Sequence, residues 1–177
     1  MGRYNNSRGF TLIELLVVVG IIGIIAGIAM PALLRARMNG NETSAIGSIR
    51  ATNTAQLSFS TACGAGFYAL SFPTLGVPPP GGIHPFLSPD LTGALTPQKS
   101  GYGFTLAAGA GGVAGAPDTC NGAATNAAYY VAAVPLGLGT SGSRGFAGNQ
   151  SGAIWQDVTG VAPTEPFSFG PGISPVQ

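Results

Sequence analysis

Residues 10–34, FTLIELLVVVGIIGIIAGIAMPALL, are apolar except for Thr11, Glu14 and the small or helix-bending Gly and Pro positions, and no other feature limits the fold of this chain as tightly. As a helix this run reaches roughly 37 Å against the ~30 Å hydrocarbon core of a bilayer, so it can span a membrane on length alone. The nine residues ahead of it, MGRYNNSRG, hold Arg3 and Arg8 and no acid, as the positive end of an export signal does. A standard signal peptide has only about 7 to 15 apolar residues and ends at a small-residue cleavage site. Here the run is longer and flows into more helix.

That continuation, RARMNGNETSAIGSIRATNTAQLSFSTA over residues 35–62, is polar with Ile46, Ile49, Asn53 and Leu57 along a narrow stripe of helical period. Gly40 and Gly47 each weaken an isolated helix by about 1 kcal/mol relative to Ala, so the stripe is expected to be held by a packed partner. Residues 10–62 together would make a helix of ~80 Å. Pro31 removes one backbone hydrogen bond inside it, which predicts a kink or local melting just before that position.

Beyond Cys63 the chain turns to Gly, Pro, Ser, Thr and aromatics, and the helix is expected to stop. Residues 72–93, FPTLGVPPPGGIHPFLSPDLTG, read as an ordered but irregular connection. Strands are expected where Tyr102, Phe104 and Leu106 alternate, over Tyr129 to Val134, over 143–147 around Phe146, and over Ala153 to Trp155 after the turn signal NQSG. Their short spacing favours an antiparallel meander. From about Val161 the sequence reads as irregular. The fold class is α+β: a long N-terminal helix packed on a small antiparallel sheet, with 35–62 as the amphipathic half of the helix and 63–177 as the head.

Composition limits the function. Only 7% of residues are charged, with seven Lys or Arg against six Asp or Glu, where an ordinary soluble surface runs nearer ~25%. This argues against a basic nucleic-acid-binding face and against an acidic disordered tail, and Lys99 and Arg144 are the only basic residues after Arg50. One histidine excludes a polyhistidine metal site, and the distance in sequence between Cys63 and Cys120 excludes zinc-finger and CxxC redox motifs.

The junction of Gly9 with FTLIELLVVVGIIGIIAGIAMPALLRAR resembles the prepilin signature of type IV pilins and type II secretion pseudopilins: a short basic leader, Phe10, Glu14 five residues into the mature chain, about twenty apolar residues, and Pro31 at the family's kink. The resemblance covers residues 1–62. It implies a leader of residues 1–9 cleaved after Gly9 by a prepilin peptidase, N-methylation of Phe10, residence in the bacterial inner membrane with the head outside the cytoplasm, and assembly, with the inner-membrane machinery, into a filament of identical or related subunits. The family includes two destinations, the surface pilus and the periplasmic pseudopilus. A minor subunit for DNA uptake is a third reading, and the scarcity of basic residues argues against it.

Physics supplies its own account of Glu14. A carboxylate in a bilayer costs up to ~3 kcal/mol at the centre and less toward the edge, so it seeks a partner. The amine freed on Phe10 by cleavage can meet Glu14 of a neighbouring helix and set axial register, as one buried polar residue does in a coiled coil. The alternative is a Glu14 that snorkels to the interface of a monomeric anchor. Arg35 and Arg37 behind the span nearly balance Arg3 and Arg8 ahead of it, so the leader resemblance, and not charge, sets the orientation. A head outside the cytoplasm would favour a Cys63–Cys120 disulfide, worth roughly 4 kcal/mol by loop entropy, against two free buried thiols. Family disulfides commonly close a loop near the C-terminus, whereas 57 residues follow Cys120.

Other motifs fail on chemistry. Gly137, Gly139 and Gly142 have a dinucleotide-loop spacing, but turn and strand material follows them in place of a helix. GALTPQKS at 93–100 puts Gln98 where a phosphate loop needs glycine. His84, with Asp90 nearby, has no nucleophile to serve and reads as a loop hydrogen-bonder. Asp118, Asp157 and Glu165 are too scattered for the calcium loop usual in the major pseudopilin, which favours a pilin. Asn41 and Asn149 open N-x-S/T sequons that chance explains in so polar a chain. No catalytic residue, cofactor or metal is expected.

Overall fold

The computed structural model describes residues 9–115 and 119–176; the basic leader residues Arg3 and Arg8, and Asp118, lie outside them. The chain divides into two compact units, one ending at Ala36 and one beginning at Arg37. Helix α1 (Leu12–Ala62) belongs to both.

In the first unit the helix is unbroken through Pro31, so the expected melting does not occur. Every large apolar side chain from Phe10 to Leu34 is exposed.

In the second unit α1 meets an antiparallel meander. Strands β2 (Gln98–Lys99), β3 (Tyr102–Ala108), β5 (Tyr129–Pro135), β6 (Gly145–Asn149), β7 (Ile154–Asp157) and β8 (Ile173–Pro175) pair in that order, all antiparallel. A separate pair joins β1 (Tyr68–Ala69) to β4 (Thr125–Asn126). The expected alternation of Tyr102, Phe104 and Leu106 is the buried face of β3. Register carries that face across the sheet, Phe104 to Ala133 to Phe146, and Leu106 to Val131 to Gly148.

The face of α1 that packs here differs from the expected stripe. Buried are Glu42, Ala45, Ile49, Thr52, Gln56, Phe59 and Cys63, in alternating steps of three and four. Ile49 belongs to both stripes, Ile46 and Asn53 flank the seam, and Leu57 is 61% exposed. Glu42, Thr52 and Gln56 can be buried because each finds a partner, unlike the buried Ser48 hydroxyl: the Gln56 amide donates to Ala69 O at 2.8 Å and accepts from Ala69 N at 2.9 Å, holding β1 against the helix.

Two further corrections concern segments expected to be irregular. Residues 72–93 contain one-turn helices α2 (Phe72–Leu75) and α3 (Pro89–Thr92), each opened by proline in its first turn, and they bury Phe72, Leu75, Leu87 and Leu91. The tail after Val161 crosses the outer face of the sheet before closing as β8. Phe167 stacks on Trp155 at 5.7 Å, and the Tyr130 hydroxyl donates to Pro163 O at 2.7 Å. Gly145 permits this crossing, since a Cβ there would collide with the Val161 carbonyl. Cys63 and Cys120 form a disulfide tying the end of α1 to the 119–122 turn, beside a Cys120 N to Cys63 O bond of 3.0 Å.

Candidate assembly site

The first unit concentrates the residues expected to act. Gly9 and Phe10 precede the helix, and Phe10 is 77% exposed. Thr11 stands at the N-cap position. The Glu14 amide donates to Thr11 Oγ1 at 3.3 Å, and Thr11 Oγ1 faces Glu14 Oε2 at 3.3 Å. Ser or Thr followed three residues later by Glu is a capping-box spacing, readable in T-L-I-E but missed in the sequence. It satisfies one of the orphan amides of the first turn and places the carboxylate at the positive end of the helix. The rest of the unit is an unbroken apolar helix surface, long enough to cross a bilayer. Such a surface is stable only in lipid or against other helices, since each aliphatic side chain left in water forgoes ~1.5–3 kcal/mol.

The second unit holds a charged group that the sequence did not single out. Glu42 is 2% exposed. Its Oε1 accepts from Ser143 N at 2.8 Å, Ser143 Oγ at 2.9 Å and Arg144 N at 3.2 Å, and its Oε2 accepts from Arg144 Nη2 at 2.6 Å and Nε at 2.9 Å. Burial alone would push the Glu42 carboxyl up, but these donors together hold it below its ordinary value. Arg144 also donates to Gln156 Oε1 at 2.7 Å, joining α1, the β5–β6 turn and β7. The partners lie about a hundred residues apart, so no spacing announces the pair.

Gly137, Gly139 and Gly142 form the turn between β5 and β6, with Gly139 N bonded to Gly142 O at 2.8 Å. His84 is exposed, and Asp90 pairs with Lys99 at 2.7 Å. Asp157 accepts from Thr159 in its own turn, and Glu165 from Ala110 N and Asn149 on other segments. The sequon amide of Asn41 donates to Ser141 O at 2.8 Å.

Residues 4–30 match the family described as "Prokaryotic N-terminal methylation motif". The chain is 45% identical over 60 residues to the Type IV major pilin protein PilA of Myxococcus xanthus, covering 33% of this chain and 27% of that protein. It is 55% identical over 38 residues to the Type IV wide pilus major component PilA4 of Thermus thermophilus, covering 22% and 29%, and 45% identical over 51 residues to Fimbrial protein Q of Moraxella bovis, covering 29% and 32%. The chain thus spans less than a third of the length of the curated relatives it matches. No solved structure matches it significantly.

Proposed function

We propose, from the kinship of its N-terminal segment with the type IV pilin family, that this chain is a structural filament subunit rather than an enzyme. In this reading prepilin peptidase cleaves after Gly9, Phe10 is N-methylated, and the helix waits in the inner membrane before subunits polymerise. The observation that carries the reading is the apolar surface of residues 10–34, exposed on every side of the helix and interrupted by one carboxylate at its first turn. Lipid covers that surface before assembly; copies of the same helix cover it afterwards. Glu14 then meets the Phe10 amine of a neighbour and sets the stagger, while Pro31 is where the helix bends to pack.

A surface pilus is favoured over a pseudopilus because Asp157 accepts from Thr159 while Glu165 accepts from Ala110 N and Asn149, so the two carboxylates are committed to separate partners and unsuited to share a cation. Two measurements test the whole. Intact-mass analysis is expected to show loss of residues 1–9, one added methyl group, and two hydrogens fewer than the dithiol; a retained leader would overturn the reading. Glu14→Leu is expected to insert in the membrane at wild-type level yet form no fibres, and normal fibres from that variant would remove the register role.

A further inference from the structure

Arg144 shows how this head holds a guanidinium. Glu42 Oε2 accepts from its Nε and Nη2, neutral donors of Ser143 fix the other carboxylate oxygen, and the guanidinium carbon lies 5.6 Å over the centre of the Phe146 ring. A clamped carboxylate beside an aromatic face suits this cation, whose planar fork donates to carboxylate oxygens while its face stacks on a ring.

Glu165 repeats the arrangement on the outer face of the sheet. Its Oε2 accepts from Ala110 N at 2.7 Å and its Oε1 from Asn149 Nδ2 at 2.5 Å, so a neutral donor holds each oxygen and each keeps a further lone pair. Glu165 forms no salt bridge with any of the described residues. The ring of Phe167 is fixed between Tyr130, 6.2 Å away, and Trp155, 5.7 Å away. With Trp155 and Gln150, Glu165 and Phe167 wall an open cleft of about 400 Å³, a size usual for small-ligand sites. One carboxylate bonded to amides offers too few oxygens for a metal ion, whereas a guanidinium needs only the two that are present.

We infer that this cleft binds a guanidinium, the arginine side chain of a protein that the head meets. Glu165 accepts the fork, and Phe167 and Trp155 supply the aromatic wall against which the cation lies. Because the carboxylate and the rings are already held in place, little freedom is lost on binding. The cleft opens on the sheet face turned away from residues 37–62 of α1, so in the filament reading helix packing leaves it uncovered, and repetition along a fibre multiplies a weak contact.

The test uses the full-length chain in neutral detergent micelles, with N-acetylarginine amide as the probe. Trp155 is the only tryptophan, so its fluorescence reports on this cleft. A saturable change is expected for the wild type, with affinity at least about tenfold lower in Glu165→Gln and at least about fivefold lower for N-acetyllysine amide on the wild type. A second variant keeps the carboxylate: Gln150→Arg sets a guanidinium of the chain's own in the cleft and is expected to weaken the probe at least about tenfold. No saturable change in the wild type, full affinity in either variant, or equal binding of the lysine probe overturns the site. Binding in micelles needs no fibre, so its failure leaves the filament reading standing, and a failure to form fibres leaves the binding site standing.

Discussion

Glu42 and Arg144 place the strongest electrostatic contact of the second unit between α1 and the turn that opens β6. Removing one member of a buried pair leaves the other without its charge partner, at a cost of about 3–5 kcal/mol when both are fully buried. Arg144 keeps a third of its side chain in water, so the lower end applies. Arg144→Ala is expected to lower stability by about 3 kcal/mol, read as a fall in the midpoint of Trp155 fluorescence on denaturation; a change below about 0.5 kcal/mol would show that Ser143 alone holds the carboxylate. The pH dependence has a definite sign. Because the folded carboxyl lies below its ordinary value of 4.5, the pair stabilises fully above that value and loses its contribution as pH falls through the folded pKa. Wild type is expected to lose stability below about pH 4.5 more steeply than Glu42→Gln, and parallel curves would sink this account.

Among the elements, the disulfide and the outer crossing fix what helix and sheet alone leave loose. Closing the loop between Cys63 and Cys120 restricts the unfolded chain, and Cys63→Ser with Cys120→Ser is expected to cost roughly 4 kcal/mol in the same denaturation measurement. Gly145→Ala sets a Cβ against the Val161 carbonyl and is expected to cost about 1–3 kcal/mol, with Trp155 fluorescence shifting red as the crossing lifts; an unshifted spectrum would mean that the crossing is not held there. The elements also show what a sequence reveals. The apolar span and the alternation of β3 were legible because each buries or exposes side chains at a single period. The inner face of α1 was not, because Gln56 and Glu42 are polar residues buried by partners outside the helix, Thr52 bonds back to Ser48 O, and their burial leaves no hydrophobic period to read. Leu57 misled for the complementary reason: being apolar did not place it on the seam. The β8 strand was hidden because three residues of Ile-Ser-Pro pair only once the crossing has brought them back to β7.

For the whole molecule, scarcity of charge becomes a statement about assembly. Loss of Arg3 and Arg8 with the leader would leave five basic and six acidic residues. Among the described residues Glu42 with Arg144 and Asp90 with Lys99 cancel in pairs, while Asp157 accepts from Thr159 and Glu165 from Ala110 N and Asn149. In the proposed filament, copies would therefore approach with little Coulomb repulsion and little long-range attraction, so burial of apolar surface and not charge pairing would have to drive their association. Salt distinguishes the two. Raising ionic strength from ~0.01 to ~1 M shortens the screening length from ~30 to ~3 Å, which dissolves contacts between exposed charges but hardly touches a carboxylate and amine enclosed among helices. Fibre yield is accordingly expected to change less than twofold over that range, in quantified sedimentation of sheared fibres, while Glu14→Leu removes it at every salt concentration. A tenfold fall of the wild type in high salt would place exposed ion pairs at the centre of assembly and displace the apolar account.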